Sequence, residues 1–330
     1  MTVPVDVSPG ALDAPPDETL TGERRIEGRS LGQIAWRRLR RDRWAMAGGI
    51  IVVLLIVMAV AAPLLVRWLG HPPDEFHQSL VSADTQMPDG AWGGISTSFP
   101  FGIEPVNGRD LFSRVMYGAR ISLVIAFLAT VLSVVIGTVL GIVAGYFGGW
   151  IDSIISRIMD VFLAFPLLVF ALALAGAIPD KVFGLSGDAL RIALLVFIIG
   201  FFNWPYIGRI IRGQTMSIRE REFVDAALSL GATHRSILSR ELLPNLVAPI
   251  LVYSTLLIPS NILFEAALSY LGVGVQPPTP TWGGMLSDAA KWYQVDPEYM
   301  FPSGLAIFIT VLAFNLFGDG LRDAIDPRSR

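Results

Sequence analysis

Glu222-Phe-Val-Asp-Ala-Ala-Leu-Ser-Leu-Gly231-Ala-Thr-His-Arg-Ser-Ile-Leu-Ser-Arg-Glu241-Leu-Leu-Pro244-Asn245 is the stretch on which the reading of this 330-residue chain turns. It is a polar insert between two long apolar runs, and it carries a regular apolar stripe. Phe223, Ala226, Ala227 and Leu230 fall at i, i+3, i+4 and i+7, one face of a helix. The two alanines keep that face thin enough for another backbone to approach. Gly231 then stops the helix, because glycine tolerates the left-handed conformation of a C-terminal cap. Thr233 is placed to cap a second short helix, which Pro244 and the next apolar run are expected to end. A membrane protein that holds such a knob in water is expected to offer it to a partner.

The class follows from composition. Of the residues, 53% are hydrophobic and only 16% charged, with a mean hydropathy of +0.57; that describes an integral membrane chain rather than a water-soluble domain. A helical crossing needs roughly 20 apolar residues. Six runs answer to that: 46–66, 121–146, 158–177, 190–211, 246–271 and 304–316, the last extending over its flanks. The first run is too long, and its leader too extended, for a cleaved signal peptide despite Ala59-Val-Ala61, so an uncleaved anchor is expected.

Charge sets the orientation. Arg37, Arg38, Arg40, Arg41 and Arg43 precede the first run, and Arg212, Arg219, Arg221, Arg235 and Arg240 lie between the fourth and fifth. Arg322, Arg328 and Arg330 follow the last. The opposite loops hold fewer, among them Arg67, Arg109, Arg114, Lys181 and Lys291. The positive-inside rule therefore predicts that both termini and the 222–245 insert are cytoplasmic. The expected layout is a disordered tail over 1–30, an interfacial helix over 31–45, the first membrane helix over 46–66 and an extracytoplasmic loop over 67–120. A five-helix core over 121–320, containing the loop 214–245, and a cytoplasmic tail over 321–330 complete it. Within 31–45, Leu31, Ile34, Ala35 and Leu39 repeat at helical spacing beside Trp36 and Trp44. That suits a helix lying on the membrane with its arginines toward anionic headgroups, or a plain positive-inside anchor.

The chain has no evident catalytic constellation. Its two lysines, Lys181 and Lys291, complete no phosphate-cradling G-x-x-x-x-G-K-[ST] turn, so ATP-driven work would need another chain. There is no cysteine, and His71, His77 and His234 form no cluster. Metal chelation by His71 and His77 weighs less than a solvated loop. A non-enzyme with no catalytic residue, cofactor or metal is expected. Polar groups inside apolar runs are the remaining candidates. Glu265, near Ser260 and Asn261, either lines a solute path or pairs with an arginine such as Arg120. Asn203 and Trp204, before a kink expected at Pro205, either border the path or pack. Asp160 is expected to pair with Arg157.

Several motifs carry a family resemblance. Asp225-Ala226-Ala227, Gly231 and Glu241-Leu242-Leu243-Pro244 resemble, in spacing, the EAA loop of bacterial ABC importer permeases, with Asp225 where Glu is usual and Glu241 where Ile or His is expected. The segment 99–122, with Gly108-Arg109-Asp110, resembles the peptide/nickel branch. Phe99 stands there for His, Ile103-Glu104 for Thr-Asp, and one extra residue precedes Gly108. Arg157-Ile-Met-Asp160 with Leu163-Ala-Phe-Pro166, the segment 271–283 and the segment 314–328 extend the resemblance to most of the chain. Together they resemble the C-type member of the permease pair of dipeptide/oligopeptide/nickel importers.

The resemblance implies an all-α membrane protein of six transmembrane helices, type I ABC importer permease-like, in a bacterial plasma membrane. Its coupling helix would be formed by the EAA loop, with Glu222, Asp225, Ala226, Ala227, Gly231, Glu241, Leu243 and Pro244 as coupling residues. It implies a heterodimer with a sister permease, two cytoplasmic ATPase subunits that bind ATP and Mg, and an extracytoplasmic substrate-binding protein. The substrate implied is a peptide, with nickel or another small solute as the alternative; no Met/His/Cys cluster along the runs favours metal. A stand-alone secondary transporter, the other class, would carry inverted repeats around an intramembrane charge, and here only Glu265 offers one.

Overall fold

A computed structural model describes residues 31–177, 181–182 and 184–325; the tail expected over 1–30, and positions 326–330, lie outside the described residues. The elements are α1 (Leu31–Leu39), α2 (Arg43–Leu69), α3 (Leu111–Phe147), α4 (Gly149–Ala164), α5 (Leu167–Ala177) and α6 (Gly187–Arg219). They continue with α7 (Glu222–Ser229), α8 (His234–Ser236), α9 (Leu243–Tyr270), α10 (Trp282–Ala290) and α11 (Phe301–Ile325). A two-residue hairpin, β1 (Lys181–Val182) against β2 (Leu185–Ser186), leads into α6.

Among the described residues, five helical stretches are long and apolar enough to cross a membrane: Arg43–Leu69, Leu111–Phe147, Gly187–Arg219, His234–Tyr270 and Pro297–Ile325. The expected runs 46–66, 121–146, 190–211 and 304–316 fall inside them, and 246–271 overruns His234–Tyr270 by one residue, but the helices are longer. At 37 residues, α3 measures about 55 Å, well beyond a hydrocarbon core of about 30 Å. Side-chain caps fix where two of them begin. Asp42 Oδ1 accepts from the N–H groups of Trp44 at 2.9 Å and Ala45 at 3.1 Å to start α2. Asp110 Oδ1 accepts from Phe112 N–H at 3.0 Å to start α3. At the far end α11 runs to Ile325, so 321–325 is helix where a tail was expected.

The run 158–177, read as one span, is broken. α4 and α5 meet at 77°, at the point where Pro166 has no N–H to offer the carbonyl of Phe162 and Phe165 before it adopts extended backbone (φ −77°, ψ 128°). The bent pair makes the sixth apolar segment.

The most extensive packing joins α3 to α6, and glycines permit it. Gly137, Gly141 and Gly145 recur every fourth residue on α3. A Cβ at each would lie 2.7 Å from a backbone carbonyl oxygen of α6, that of Trp204, Gly208 or Arg212 in turn. The two backbones are in direct contact along two turns, the small-residue mode of helix association in apolar surroundings. Ser133 Oγ adds a hydrogen bond to the Gly200 carbonyl at 2.8 Å.

The segment 70–110 between α2 and α3 is not a solvated connection. Glu104, buried at 2% exposure, accepts from Arg109 Nε and from Tyr299 Oη at 3.3 Å, and lies 3.4 Å from Arg114 Nε. Arg114 in turn donates to the carbonyls of Pro73 at 3.3 Å and Pro278 at 3.2 Å. This ion cluster ties the segment to α3, to the turn before α10 and to the turn before α11. His71 and His77, expected in solvent, are half-buried around Phe99, which stacks on His71 at 4.4 Å. The ring-to-ring distance between the two histidines is 4.9 Å.

Three substitutions test this frame. Gly141→Val drives a branched side chain into the α6 backbone and is expected to cost about 3 kcal/mol or more. Gly213→Ala, where a Cβ meets open space, is expected to be neutral or slightly stabilising. Glu104→Ala leaves Arg109 and Arg114 uncompensated in a buried site, a loss of about 3–5 kcal/mol. Thermal unfolding midpoints of the detergent-solubilised chain measure all three.

Candidate functional site

The insert 222–245 folds as two helical pieces hinged at one glycine. Glu222 and Asp225 occupy the first turn of α7, where carboxylates complement the exposed N–H groups of a helix start. The helix closes on Gly231, whose φ is +82°. Gly231 N–H donates to the Leu228 carbonyl at 2.9 Å and Ala232 N–H to the Ala227 carbonyl at 3.0 Å, the paired bonds of a Schellman closure. Thr233 Oγ1 then accepts from Ser236 N–H at 3.3 Å and starts α8.

Beyond that point the second helix does not end at Pro244, as the sequence suggested. A π-helical turn, Ile237–Leu242, joins α8 to α9, so His234–Tyr270 is one 37-residue helix. Leu243 N–H reaches back five residues to the Leu238 carbonyl, and Pro244 falls in the first turn after the widened one, where its missing N–H is tolerated. Asn245 Nδ2 donates to the Glu241 carbonyl at 2.6 Å.

The orientation of α7 is informative. Val224, outside the Phe223–Leu230 stripe, is the residue that turns inward, fully buried with Ile237, Leu242 and Leu246 and with Ile142, Tyr146, Ile207 and Ile211 of α3 and α6. The stripe itself points away from the protein. Leu230 is 89% exposed and Phe223 41%, Ala226 is exposed and Ala227 half-buried. Glu222, Asp225, Leu243 and Pro244 are also exposed, with Glu241 half-buried. Beside Phe223, a cleft of about 890 Å³ is lined by Ile218, Glu220, Arg221, Glu222 and Asn245.

The loop is fastened at its base. Tyr146 Oη and His234 Nδ1 share a hydrogen bond of 2.7 Å. Arg219 Nη1 donates to the carbonyls of Gly145 at 3.2 Å and Tyr146 at 3.1 Å, covering the C-terminus of α3. Arg212 grips Asp152 of α4 with Nε and, at 2.6 Å, with Nη2. α7 therefore sits on the π turn and, through Val224, on the ends of α3 and α6, which Arg212 braces against α4, rather than swinging on a flexible linker.

The interior polar candidates separate. Asn203 Nδ2 donates to Asn261 Oδ1 at 3.0 Å, and Asn261 Nδ2 to Thr130 Oγ1 at 2.8 Å, a chain that links α6, α9 and α3. Asn203 keeps part of its surface open, whereas Trp204 is 2% exposed and packs against Phe162 and the α3 contact. The helix continues through Pro205. Glu265 is fully buried; Oε1 accepts from Ser269 Oγ at 2.7 Å. It does not meet Arg120, whose guanidinium lies 5.9 Å over the Tyr117 ring instead. Asp160 likewise pairs with Arg209 on α6 at 2.6 Å rather than with Arg157. The signal that sequence reading missed is the spacing Gly137-x₃-Gly141-x₃-Gly145, which marks the α3 face receiving α6.

Comparison with known proteins accords with this geometry. Residues 137–330 match the family described as binding-protein-dependent transport system inner membrane component, and residues 30–88 match the N-terminal TM domain of oligopeptide transport permease C. The oligopeptide transport system permease protein OppC of Escherichia coli (strain K12) is 39% identical over 95% of this chain and 96% of its own. The glutathione transport system permease protein GsiD of Shigella flexneri serotype 5b is 42% identical over 89% of each. In fold, the chain resembles an inward-facing structure of the MetNI methionine ABC transporter, with a TM-score of 0.52 and 18% identity over 66% of this chain and 98% of that one. The chain belongs to the binding-protein-dependent transport system inner membrane component family, as a multi-pass permease subunit of an ABC importer.

Proposed function

We propose that this permease is the C-type half of a peptide importer and that α7 is the handle by which a separate ATPase works it. The observation that carries this is the inversion of the loop. Val224 and the Schellman closure hold α7 against α3 and α6, while Phe223, Ala226 and Leu230 are left facing water. An exposed apolar face on a rigid mount costs free energy in isolation and is covered when a partner docks. The cleft beside Phe223, rimmed by Glu220, Arg221 and Glu222, would receive the partner's edge.

In this reading both termini and the loop are cytoplasmic, in keeping with the arginine distribution. The chain pairs with a sister permease, two ATPase subunits carrying ATP and Mg, and an extracytoplasmic substrate-binding protein. ATP-driven closure of the ATPases displaces α7. Because α7 packs on the ends of α3 and α6 and runs through the π turn into α9, the displacement is passed to the spans. Asn203 borders the solute path, and Trp204 and Glu265 hold the helices beside it. The substrate is a peptide, since the relatives are named for oligopeptide and for glutathione, itself a short peptide.

Leu230→Ala and Ala227→Arg are expected to leave the chain in the membrane with ATPase attachment weakened about thirtyfold or more, the effect of losing an interface hot spot, and uptake abolished for Ala227→Arg. Val224→Ala, in contrast, is expected to lower the unfolding midpoint. Co-purification of the ATPase and peptide uptake in proteoliposomes holding the full complex measure the first pair. Normal uptake by Ala227→Arg, or uphill transport by the chain without companions, would refute the reading.

A further inference from the structure

Five of the seven residues from 37 to 43 are arginines, and the acid among them is occupied. Asp42 accepts the N–H groups of Trp44 and Ala45 as the cap of α2. The α1 residue Leu39 is buried against Ala45 and Ala324, with Phe317 and Leu321 of α11 around it. That contact fixes α1 on the protein and leaves Arg37, Arg40, Arg41 and Arg43 exposed. Among the described residues no ion pair involves Arg37, Arg41 or Arg43. Trp36 and Trp44 are 54% and 72% exposed, and the Arg40 guanidinium sits 5.3 Å over the Trp36 ring. Directly beyond them, α2 presents Ile50, Val53, Leu54 and Val57 outward.

We infer that α1 and the start of α2 form a docking surface for anionic phospholipid headgroups, in the leaflet on the side of the α7 loop. The order along the surface, apolar then indole then guanidinium, is that of a bilayer from acyl chain to headgroup. Guanidinium groups bind phosphate oxygens in pairs through their planar fork, and Arg37, Arg40, Arg41 and Arg43 have no counter-charge of their own in the ion pairs described. The continuity with the lipid-exposed face of α2 selects a lipid over an acidic protein. The apolar anchors are the two tryptophans, since Leu39 is spent on α11. Binding there pins the corner where α1, α2 and the end of α11 meet.

The test is native mass spectrometry of the full chain mixed with phosphatidylglycerol or phosphatidylcholine, repeated on the triple variants R37Q/R41Q/R43Q and R37K/R41K/R43K. The native chain is expected to retain phosphatidylglycerol preferentially, with the preference falling about fivefold for each charge removed and shrinking as salt is raised. The lysine variant keeps the charge without the fork and should retain most of the preference, which separates lost charge from lost folding. Equal retention of the two lipids, or an unchanged preference in the glutamine variant, would overturn the inference. So would a glutamine variant that keeps its lipid but loses a companion subunit of the complex, since the surface would then belong to a protein.

Discussion

The backbone-to-backbone contact between α3 and α6 is the constraint on which the rest of the structure depends. With Gly137, Gly141 and Gly145 against the carbonyls of Trp204, Gly208 and Arg212, no side chain separates the two helices. In surroundings as apolar as the helices themselves, hydrophobicity gives no reason for two spans to associate, so close dispersion contact must do it. Once that pair is set, its ends define a platform. Arg219 reaches back to the end of α3, Arg212 reaches α4, and Val224 closes over Ile142 and Ile211. The exposed loop is rigid because its mounting is.

The same contact explains why the loop was readable and its attachments were not. The periodic stripe, Gly231 and Thr233 act within a dozen residues, and each has a local physical meaning: a helix face, a left-handed stop, a cap. What the stripe is for was less legible. An i, i+3, i+4, i+7 pattern says that a face is apolar, not whether it faces inward or outward, and here Val224 took the inward place. Pairings across helices were beyond reach for a similar reason. Asp160 has an arginine three residues away, yet its partner is Arg209, set by the register of α4 on α6. Glu104 meets a tyrosine 195 positions further on. Such neighbours are fixed by tertiary packing, and a single sequence records none of it.

Prolines show the limit most plainly. Pro63, Pro205, Pro249 and Pro259 all lie within continuous helices, and Pro244 sits where a π turn widens the helix to accept it. Among the described residues only Pro166 accompanies such a break, at 77°. Each removes one hydrogen bond, so the residue type cannot decide the outcome. What differs is the preceding residue: Phe165 has extended backbone, and the chain turns there.

These details also locate stiffness and compliance in the helix that runs from the loop to the far end of the protein. At its start, Ile237, Leu242 and Leu246 are fully buried in the platform. Toward its other end, Asn261 is tied to α3 and α6 by hydrogen bonds, and Glu265 is buried against Ser269. Between them lie Pro249 and Pro259, each with a freed carbonyl one turn back. Bending is easiest where ladder bonds are missing and packing is partial, and Ile250, Tyr253 and Ser254 there are only half-buried. A push at α7 would therefore move the α3–α6 platform as a body and carry α9 with it, both at its start and at Asn261, so that any bend between those two attachments falls in the middle of α9.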